Sequence, residues 1–353
     1  MSYMSTVLIL FGGKSSEYEV SLNSAYSVIQ NIPKDKYNLV LLGITKDGKW
    51  LLFEGDIEKI PSGEWVREGI RAAISTDFGD KCVNVFREND IQKIPVDVCF
   101  PVLHGKTGED GTVQGLLELA GIPYVGCRTL ASAMCMDKAV TNMVADSENI
   151  PQAKWLSISA YDYSIDKENF VGKCIDHLGL PLFIKPANAG SSVGISKAKT
   201  REDIFAAMEK AFREDSKVVA EESIDGREIE CSVLGNDCPI ASVLGEVVPC
   251  NEFYDYEAKY IDGDSALLIP ADTTKEQEEE IRQLAVKAYK ALGCTGLSRV
   301  DFFIRRSDGK ALLNEINTLP GFTSISMYSM LFAKSGIPYG DLIDRLINLA
   351  LER

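Results

Sequence analysis

The residues whose types and spacing could do chemistry are densest in two short runs, Gly296-Leu-Ser-Arg-Val-Asp-Phe-Phe-Ile304 and Lys310-Ala-Leu-Leu-Asn-Glu-Ile-Asn317, separated by Ser307-Asp308-Gly309. Both have strand character and the segment between them is built of turn-formers, so they read as a β-hairpin. Side chains alternate along a strand, which puts Arg299 and Asp301 on one face and Val300, Phe302 and Ile304 on the other. Glu315 and Asn317 likewise share a face. If the loop is Ser307-Asp308-Gly309 with Gly309 left-handed, Asp301 pairs with Glu315 and Arg299 with Asn317. A two-residue loop shifts the register by one and sends Asp301 and Glu315 to opposite faces. Two opposed carboxylates repel unless a cation lies between them. An Asp, Glu and Asn set suits Mg²⁺ held jointly with substrate phosphates, and a neighbouring arginine can stabilise a phosphoryl group in transfer. A solvent-facing strand pair with an apolar reverse side explains the same pattern without chemistry.

A second run, Phe183-Ile-Lys185-Pro186 followed by Ala-Asn-Ala-Gly190-Ser191-Ser192-Val-Gly194, reads as a strand ending in a lysine and then a small-residue loop. Backbone N–H groups of such a loop can approach phosphate oxygens, with Ser191, Ser192 and Lys185 adding donors and charge. It is not a Walker loop, because GxxxxGK[ST] is absent. A plain turn accounts for it equally. Lys138, within Met136-Asp137-Lys138, lies on a helical stretch and alone is a solvated charge. Glu221 and Glu222 end the apolar strand Val218-Val219-Ala220, where carboxylates accept from an adenine amino group or face water.

The elements that must position these residues alternate. Val7–Phe11, a helix from about Tyr18 to Gln30, Tyr37–Thr45, Val96–Leu103 and a helix near Thr112–Ala120 have the rhythm of an open α/β domain. Gly121 stops the last helix, and Ile122–Gly126 follows as a short strand. The polar stretch from about 54 to 92 reads as a peripheral insertion. A helix from about Leu130 to Ser147 opens a middle unit with strand Leu182–Lys185, a helix near Glu202–Arg213 and strand Val218–Glu221. From Arg227 onward come two β runs, a polar segment Asn251–Ser265, a helix near Lys275–Leu292, the hairpin and terminal helices. Three units follow, spanning 1–130, 131–225 and 226–353.

With 353 residues, 45% of them apolar and 25% charged, the chain has the balance of a folded globular protein of two or three packed units. No run approaches the roughly 18 apolar residues that span a bilayer, and Val7–Phe11 is not followed by a cleavage-type segment, which argues for the cytoplasm. The nine cysteines are scattered without a CxxC, implying reduced thiols and no zinc cluster. Lys plus Arg total 37 against 52 Asp plus Glu, a net charge of −15 that repels nucleic acid and anionic membranes. A bound polyanion such as ATP therefore needs local cations and metal. His104 and His177 are the only histidines, too few for a histidine-based metal site or a Ser-His-Asp triad.

Taken in chain order, Lys138, Lys185-Pro186 with its loop, Glu221-Glu222, Arg299-x-Asp301 and Glu315-x-Asn317 resemble the ATP-grasp superfamily. Over nearly its full length the chain resembles the D-alanine–D-alanine ligases. Matching segments are Phe11-Gly-Gly-Lys-Ser-Ser-Glu17-Tyr-Glu-Val-Ser21, His104-Gly-Lys-Thr-Gly-Glu-Asp-Gly111, Gly190-Ser-Ser-Val-Gly194, Ala258-Lys259-Tyr260 and Asn314-Glu-Ile-Asn-Thr-Leu-Pro-Gly321-Phe-Thr-Ser. The resemblance implies an α/β protein, α+β in its C-terminal part, with the ATP-grasp fold and an N-terminal open parallel-sheet domain. It implies ATP as co-substrate, two Mg²⁺ ions with Mn²⁺ as the other candidate, and a homodimer.

It also implies roles. Lys138, Lys185 and Ser192 would bind ATP phosphates, and Glu221, Glu222, Ile224 and Glu228 would line the adenine and ribose pocket. Asp301, Glu315 and Asn317 would hold the metal. Glu17, in a network with Ser191 and Tyr260, would bind the ammonium of the first D-alanine, with His104 near its carboxylate. Arg299 and the Gly321 N–H would stabilise the oxyanion, while Ser326 and Met327 would meet the second D-alanine. The intermediate would be an acyl phosphate, which water destroys, so the site must close. Asn251–Ser265 has the length and polarity of a lid carrying Lys259 and Tyr260.

Blander readings stand beside these. His104 can be a satisfied loop histidine, Ser191 a turn donor, Glu17 a first-turn carboxylate favoured by the helix dipole and Met327 a packing residue. Related vancomycin-resistance ligases join D-alanine to D-serine or D-lactate, and Glu17-Tyr-Glu-Val-Ser21 runs close to the serine-forming group. Tyr260, where D-lactate-forming relatives often carry Phe or lack this loop pattern, and Met327, where D-serine-forming relatives tend to carry Arg, favour D-alanine. A nucleotide-binding regulator without turnover is the alternative of a different class, against which the complete Arg299, Asp301, Glu315 and Asn317 set argues.

Overall fold

A computed structural model describes residues 4–190, 192–248 and 266–353. Its described strands fall into three sheets. The first is ordered β6-β5-β4-β3-β2-β1-β7, with β1 Ser5–Gly12, β2 Tyr37–Ile44, β3 Trp50–Phe53, β4 Ile70–Ile74, β5 Cys82–Phe86, β6 Ile91–Pro95 and β7 Val98–Val102. Strand β1 is buried from Val7 onward on both faces, as a near-continuous apolar run in a parallel strand should be. It pairs in parallel with β2 and β7.

The stretch from 54 to 92 is not a peripheral insertion. It forms most of an antiparallel extension of that sheet, β3 through β6. It also supplies Trp65, which is fully buried with its ring edge-on to Phe11 at 4.9 Å between centroids. Gly43 in β2 makes room for that indole, since a Cβ there would lie 2.3 Å from the ring.

The second sheet, ordered β10-β9-β11-β8, comprises β8 Trp155–Ser159, β9 Leu182–Pro186, β10 Ser196–Ala198 and β11 Lys217–Glu222, antiparallel at each described junction. The third, ordered β14-β13-β12-β15-β16, comprises β12 Gly226–Leu234, β13 Ile240–Val248, β14 Ala266–Leu268, β15 Leu297–Arg305 and β16 Ala311–Asn317.

Helices α1 Tyr18–Asn31 and α2 Thr112–Leu119 match the sequence reading within a residue or so. The expected helix from Leu130 to Ser147 is instead two, α3 Thr129–Met136 and α4 Lys138–Ser147. Asp137 breaks it: its backbone is extended and its carboxylate accepts from the Val140 N–H, capping α4. Helices α5 Ala160–Ile165, α6 Lys167–Leu178 and α7 Arg201–Ala211 accompany the second sheet, and α8 Lys275–Ala291 covers the apolar face of the third. Helices α9 Met327–Lys334 and α10 Tyr339–Leu351 close the fold. Helix α10 buries Leu342, Ile343, Leu346 and Ile347 in the same core as Val7, Ile9 and Val28, so the last helix packs on the first sheet. Among the described residues no helix is long and apolar enough to cross a membrane.

Candidate functional site

The hairpin of β15 and β16 brings Asp301 opposite Glu315 and Arg299 opposite Asn317. The route to that pairing differs from the expected one. Near the turn Ile304 faces Ala311, Phe303 faces Leu312 and Phe302 faces Leu313. The Arg305 N–H donates to the Lys310 carbonyl at 2.9 Å and the Gly309 N–H to the Arg305 carbonyl at 2.8 Å. The loop thus runs from Arg306 to Gly309 and is one residue longer than Ser307-Asp308-Gly309. On its own that register would turn Glu315 into the apolar core. A β-bulge at Asn314, between Leu313 and Glu315, absorbs the offset and returns Glu315 and Asn317 to the face of Asp301.

Asp301 is 8% exposed, which rules out a merely solvent-facing pair. Arg299 grips it with two bonds, Nε to Oδ1 at 2.8 Å and Nη2 to Oδ2 at 2.6 Å, while Asn317 Nδ2 donates to Oδ2 at 3.0 Å. Glu230 of β12, which pairs with Asp301 across the sheet, brings Oε2 to 2.9 Å from Arg299 Nε. Burial alone would favour a neutral guanidine. Asp301, Glu230 and Glu315 outweigh it and hold Arg299 well above its ordinary pKa.

A cleft of about 610 Å³ opens in front of this hairpin. Lys138, Lys185, Ser192, Glu221, Glu222, Ile224, Glu228 and Glu315 all line it, so seven expected nucleotide residues and one expected metal ligand share one space. Lys185, at the end of β9, pairs with Glu221 Oε2 at 2.5 Å, and Glu221 Oε1 also accepts from Asn142 Nδ2 at 3.3 Å. Burial pulls the Lys185 ammonium down, but Glu221, Glu315 and Glu228 hold it above its ordinary pKa. Glu222 accepts the Lys154 N–H at 2.8 Å. Lys138 is not simply solvated: it opens α4, and its Nζ donates to the Ala189 carbonyl at 2.9 Å, tying that helix to the Gly/Ser loop. The loop turns with Ser192 in the left-handed region at φ 58°, and Gly194 at φ 76°. Such backbone at a non-glycine residue is strained and is kept where the site needs it.

On the other side of the loop stands Glu17, buried at the N-terminus of α1. A Cβ on Gly105 would lie 2.5 Å from its Oε2 and one on Gly190 would lie 3.3 Å away, so Glu17 is aimed between the His104 loop and the Gly/Ser loop. His104 is fully buried. Its Nδ1 lies 3.0 Å from the Leu319 carbonyl and its Nε2 lies 3.2 Å from Ser24 Oγ, which also accepts the Phe322 N–H at 3.3 Å. The satisfied-histidine reading describes these contacts: His104 and Ser24 clamp the segment that carries Gly321.

Ser326 accepts the Thr323 N–H at 3.0 Å and lies beside Gly321. Met327 is buried with Val247 and Leu331, and it seats against Gly245, where a Cβ would meet its sulfur at 2.7 Å; this is the packing reading and not an open wall. Ser191, Lys259, Tyr260 and the expected lid Asn251–Ser265 lie outside the described residues. Sequence reading missed Ser24, Asn142, Glu230 and Asn314. Only Asn314 carried a local signal, in the change of apolar spacing along β16.

Burial disfavours protonated His104, but Glu109, whose Oε1 lies 3.8 Å from Nδ1, Glu17 and the Leu319 carbonyl raise its pKa above the ordinary 6.5. A histidine raised on folding contributes stability below its unfolded pKa and loses it as pH rises through the folded one. His104→Gln should therefore cost more stability in urea unfolding at about pH 6 than at about pH 9. A cost independent of pH would show that the imidazolium contributes nothing.

Among the described residues no three His, Cys, Asp or Glu converge as a self-sufficient metal site. Asp301, Glu315 and Asn317 supply two carboxylates and an amide. That donor set fits a hard divalent cation whose remaining ligands are phosphate oxygens and water.

Family models described as "D-ala D-ala ligase N-terminus" and "D-ala D-ala ligase C-terminus" match residues 6–127 and 144–348. The chain is 52% identical over 347 residues to the D-alanine–D-alanine ligase of Caldicellulosiruptor bescii, covering 98% of this chain and 95% of that one. It is 53% identical over 358 residues to the corresponding ligase of Ruminiclostridium cellulolyticum, covering 98% and 95%. Among solved structures, the VanG D-Ala:D-Ser ligase from Enterococcus faecalis superposes with a TM-score of 0.90 at 40% identity, covering 99% of this chain and 100% of that one. The D-alanine–D-alanine ligase from Coxiella burnetii does so with 0.87 at 34% identity, covering 99% and 94%.

Proposed function

Since the chain belongs to the D-alanine–D-alanine ligase family, we propose that it joins two D-alanines at the expense of ATP, through a D-alanyl phosphate, to supply a dipeptide for peptidoglycan precursors. It is an ATP-using ligase with the ATP-grasp fold. The observation that carries the residue assignments is the joint lining of one cleft by Lys138, Lys185, Glu228 and Glu315 beside the Arg299–Asp301 pair.

Lys138, Lys185 and Ser192 hold the ATP phosphates. Glu221, Glu222, Ile224 and Glu228 receive the adenine and ribose. Asp301, Glu315 and Asn317 are the ligands for two Mg²⁺, or Mn²⁺, which when bound neutralise phosphate charge. Glu17 takes the ammonium of the first D-alanine, with Ser191 and Tyr260 as its partners, and His104 shapes the wall near the carboxylate. A carboxylate oxygen of that D-alanine attacks the γ-phosphorus, and the bond from phosphorus to the ADP oxygen breaks. Lys259 and Ser326 border the second D-alanine, with Met327 packed behind them, and the amine nitrogen of that D-alanine attacks the acyl carbonyl. Arg299 and the Gly321 N–H hold the resulting oxyanion, and inorganic phosphate leaves.

The units 1–130, 131–225 and 226–353 are read as the first-substrate, nucleotide-clasping and metal-bearing domains, each containing one of the three sheets. A homodimer in the cytoplasm is the setting consistent with the family. The similarity to the VanG enzyme keeps D-serine as the second reading for the acceptor. Phosphate release from ATP, measured with D-alanine, D-serine or D-lactate and followed by product analysis, tests all of this. D-alanine alone should trigger release and yield the dipeptide. Preferred incorporation of D-serine would overturn the acceptor, and ATP binding without any release would overturn the enzyme.

A further inference from the structure

Both oxygens of Asp301 are taken up by Arg299, and Oδ2 accepts from Asn317 as well. With three of its roughly four lone-pair sites taken, this carboxylate can offer both oxygens to a cation only if the guanidinium withdraws. Arg299 is in turn too deeply placed to be released into water, its side chain being 16% exposed. A buried guanidinium left without a counter-charge would resist the exchange. Glu230 offers the alternative. It faces Asp301 across the β12–β15 ladder, its side chain is 13% exposed, and its Oε2 is already 2.9 Å from Arg299 Nε. The guanidinium can pass from one carboxylate to the other by a small rotation without losing an ionic partner.

We propose that Glu230 is a positioning residue that retains Arg299 while Asp301 yields its oxygens to the divalent cation, so that metal loading and arginine placement are one exchange. This rests on the metal assignment proposed above. It also gives Arg299 a definite location once Asp301 is occupied, held from the β12 side with its Nη groups facing the cleft.

The probe is Mn²⁺ binding in the presence of ADP, read as the loss of the free-Mn²⁺ electron paramagnetic resonance signal, with no turnover required. Glu230→Gln, which keeps the shape and removes the charge, should weaken Mn²⁺ about tenfold, the scale of one charge-assisted hydrogen bond. Glu230→Asp should recover part of the loss. Because Glu230 works through Arg299, the same substitution in an Arg299→Gln background should weaken Mn²⁺ by less than about threefold, the remainder being direct attraction to the ion. Unchanged Mn²⁺ affinity in Glu230→Gln would overturn the proposal. Equal weakening in both backgrounds would do so too, by showing a plain charge effect. A native protein that binds no Mn²⁺ with ADP would remove the metal assignment itself, and that failure is visible before any variant is made.

Discussion

Alanine at Asp301 or at Glu315 is expected to bring ADP formation to background, a loss of about 10³-fold or more, because each removes a charge that organises the phosphoryl-transfer site. The two variants should differ in stability. Glu315 borders an open cleft, so its truncation should leave the fold nearly intact. Asp301 carries both bonds of Arg299, and its truncation should destabilise the protein by about 3 kcal/mol, the lower end for breaking a buried pair. ADP release measured beside urea unfolding separates the effects. Asp301→Asn should keep more of the stability and none of the activity. Ordinary turnover by either alanine variant would remove both carboxylates from the mechanism.

Inserting one alanine between Asn314 and Glu315 should be nearly as damaging although it removes no side chain. The bulge residue converts the register of the turn end into that of the site end. With the bulge kept at Asn314, the inserted alanine would take the place opposite Asp301 and Glu315 would enter the apolar layer containing Val300, Phe302 and Ile316, where an uncompensated carboxylate costs several kcal/mol. The strand must then either bury that charge or widen the bulge by a residue. Activity should fall by about 10²-fold or more, together with a lowered urea midpoint. Asn314→Ala, which keeps the residue count, should lose less than about tenfold. Full activity in the insertion variant would show that the residue count between Leu313 and Glu315 does not set the position of Glu315.

These two expectations mark what was legible in the sequence. Period-2 alternation identified the face shared by Arg299 and Asp301, because a strand's geometry allows no other answer. The pairing of Asp301 with Glu315 was reached through a loop one residue too short and a missing bulge, errors that cancel. The bulge left a faint trace: the core residues Ala311, Leu313 and Ile316 change parity along β16, although Leu312 between them masks the alternation. Asp137 was similarly readable as a cap, yet the apolar pattern on both sides hid the break at Lys138.

The stretch from 54 to 92 misled because its strands are short, their buried residues such as Ala72, Ile74, Val83 and Val85 are few per strand and separated by polar turns, and the edge strand β6 is mostly exposed. The links from Ser24 to His104 and Phe322 join residues 80 and 298 positions apart. No local regularity announces them.

The placement of helix α10 bears on how the chain is made. Val7, Ile9 and Val28 are synthesised long before the helix segment that covers them, Leu342 through Ile347. During translation the first sheet must therefore wait with part of an apolar face uncovered while the second and third sheets are still being made. At ribosomal rates of about 5–20 residues per second, the interval is tens of seconds, long enough for holding chaperones to matter.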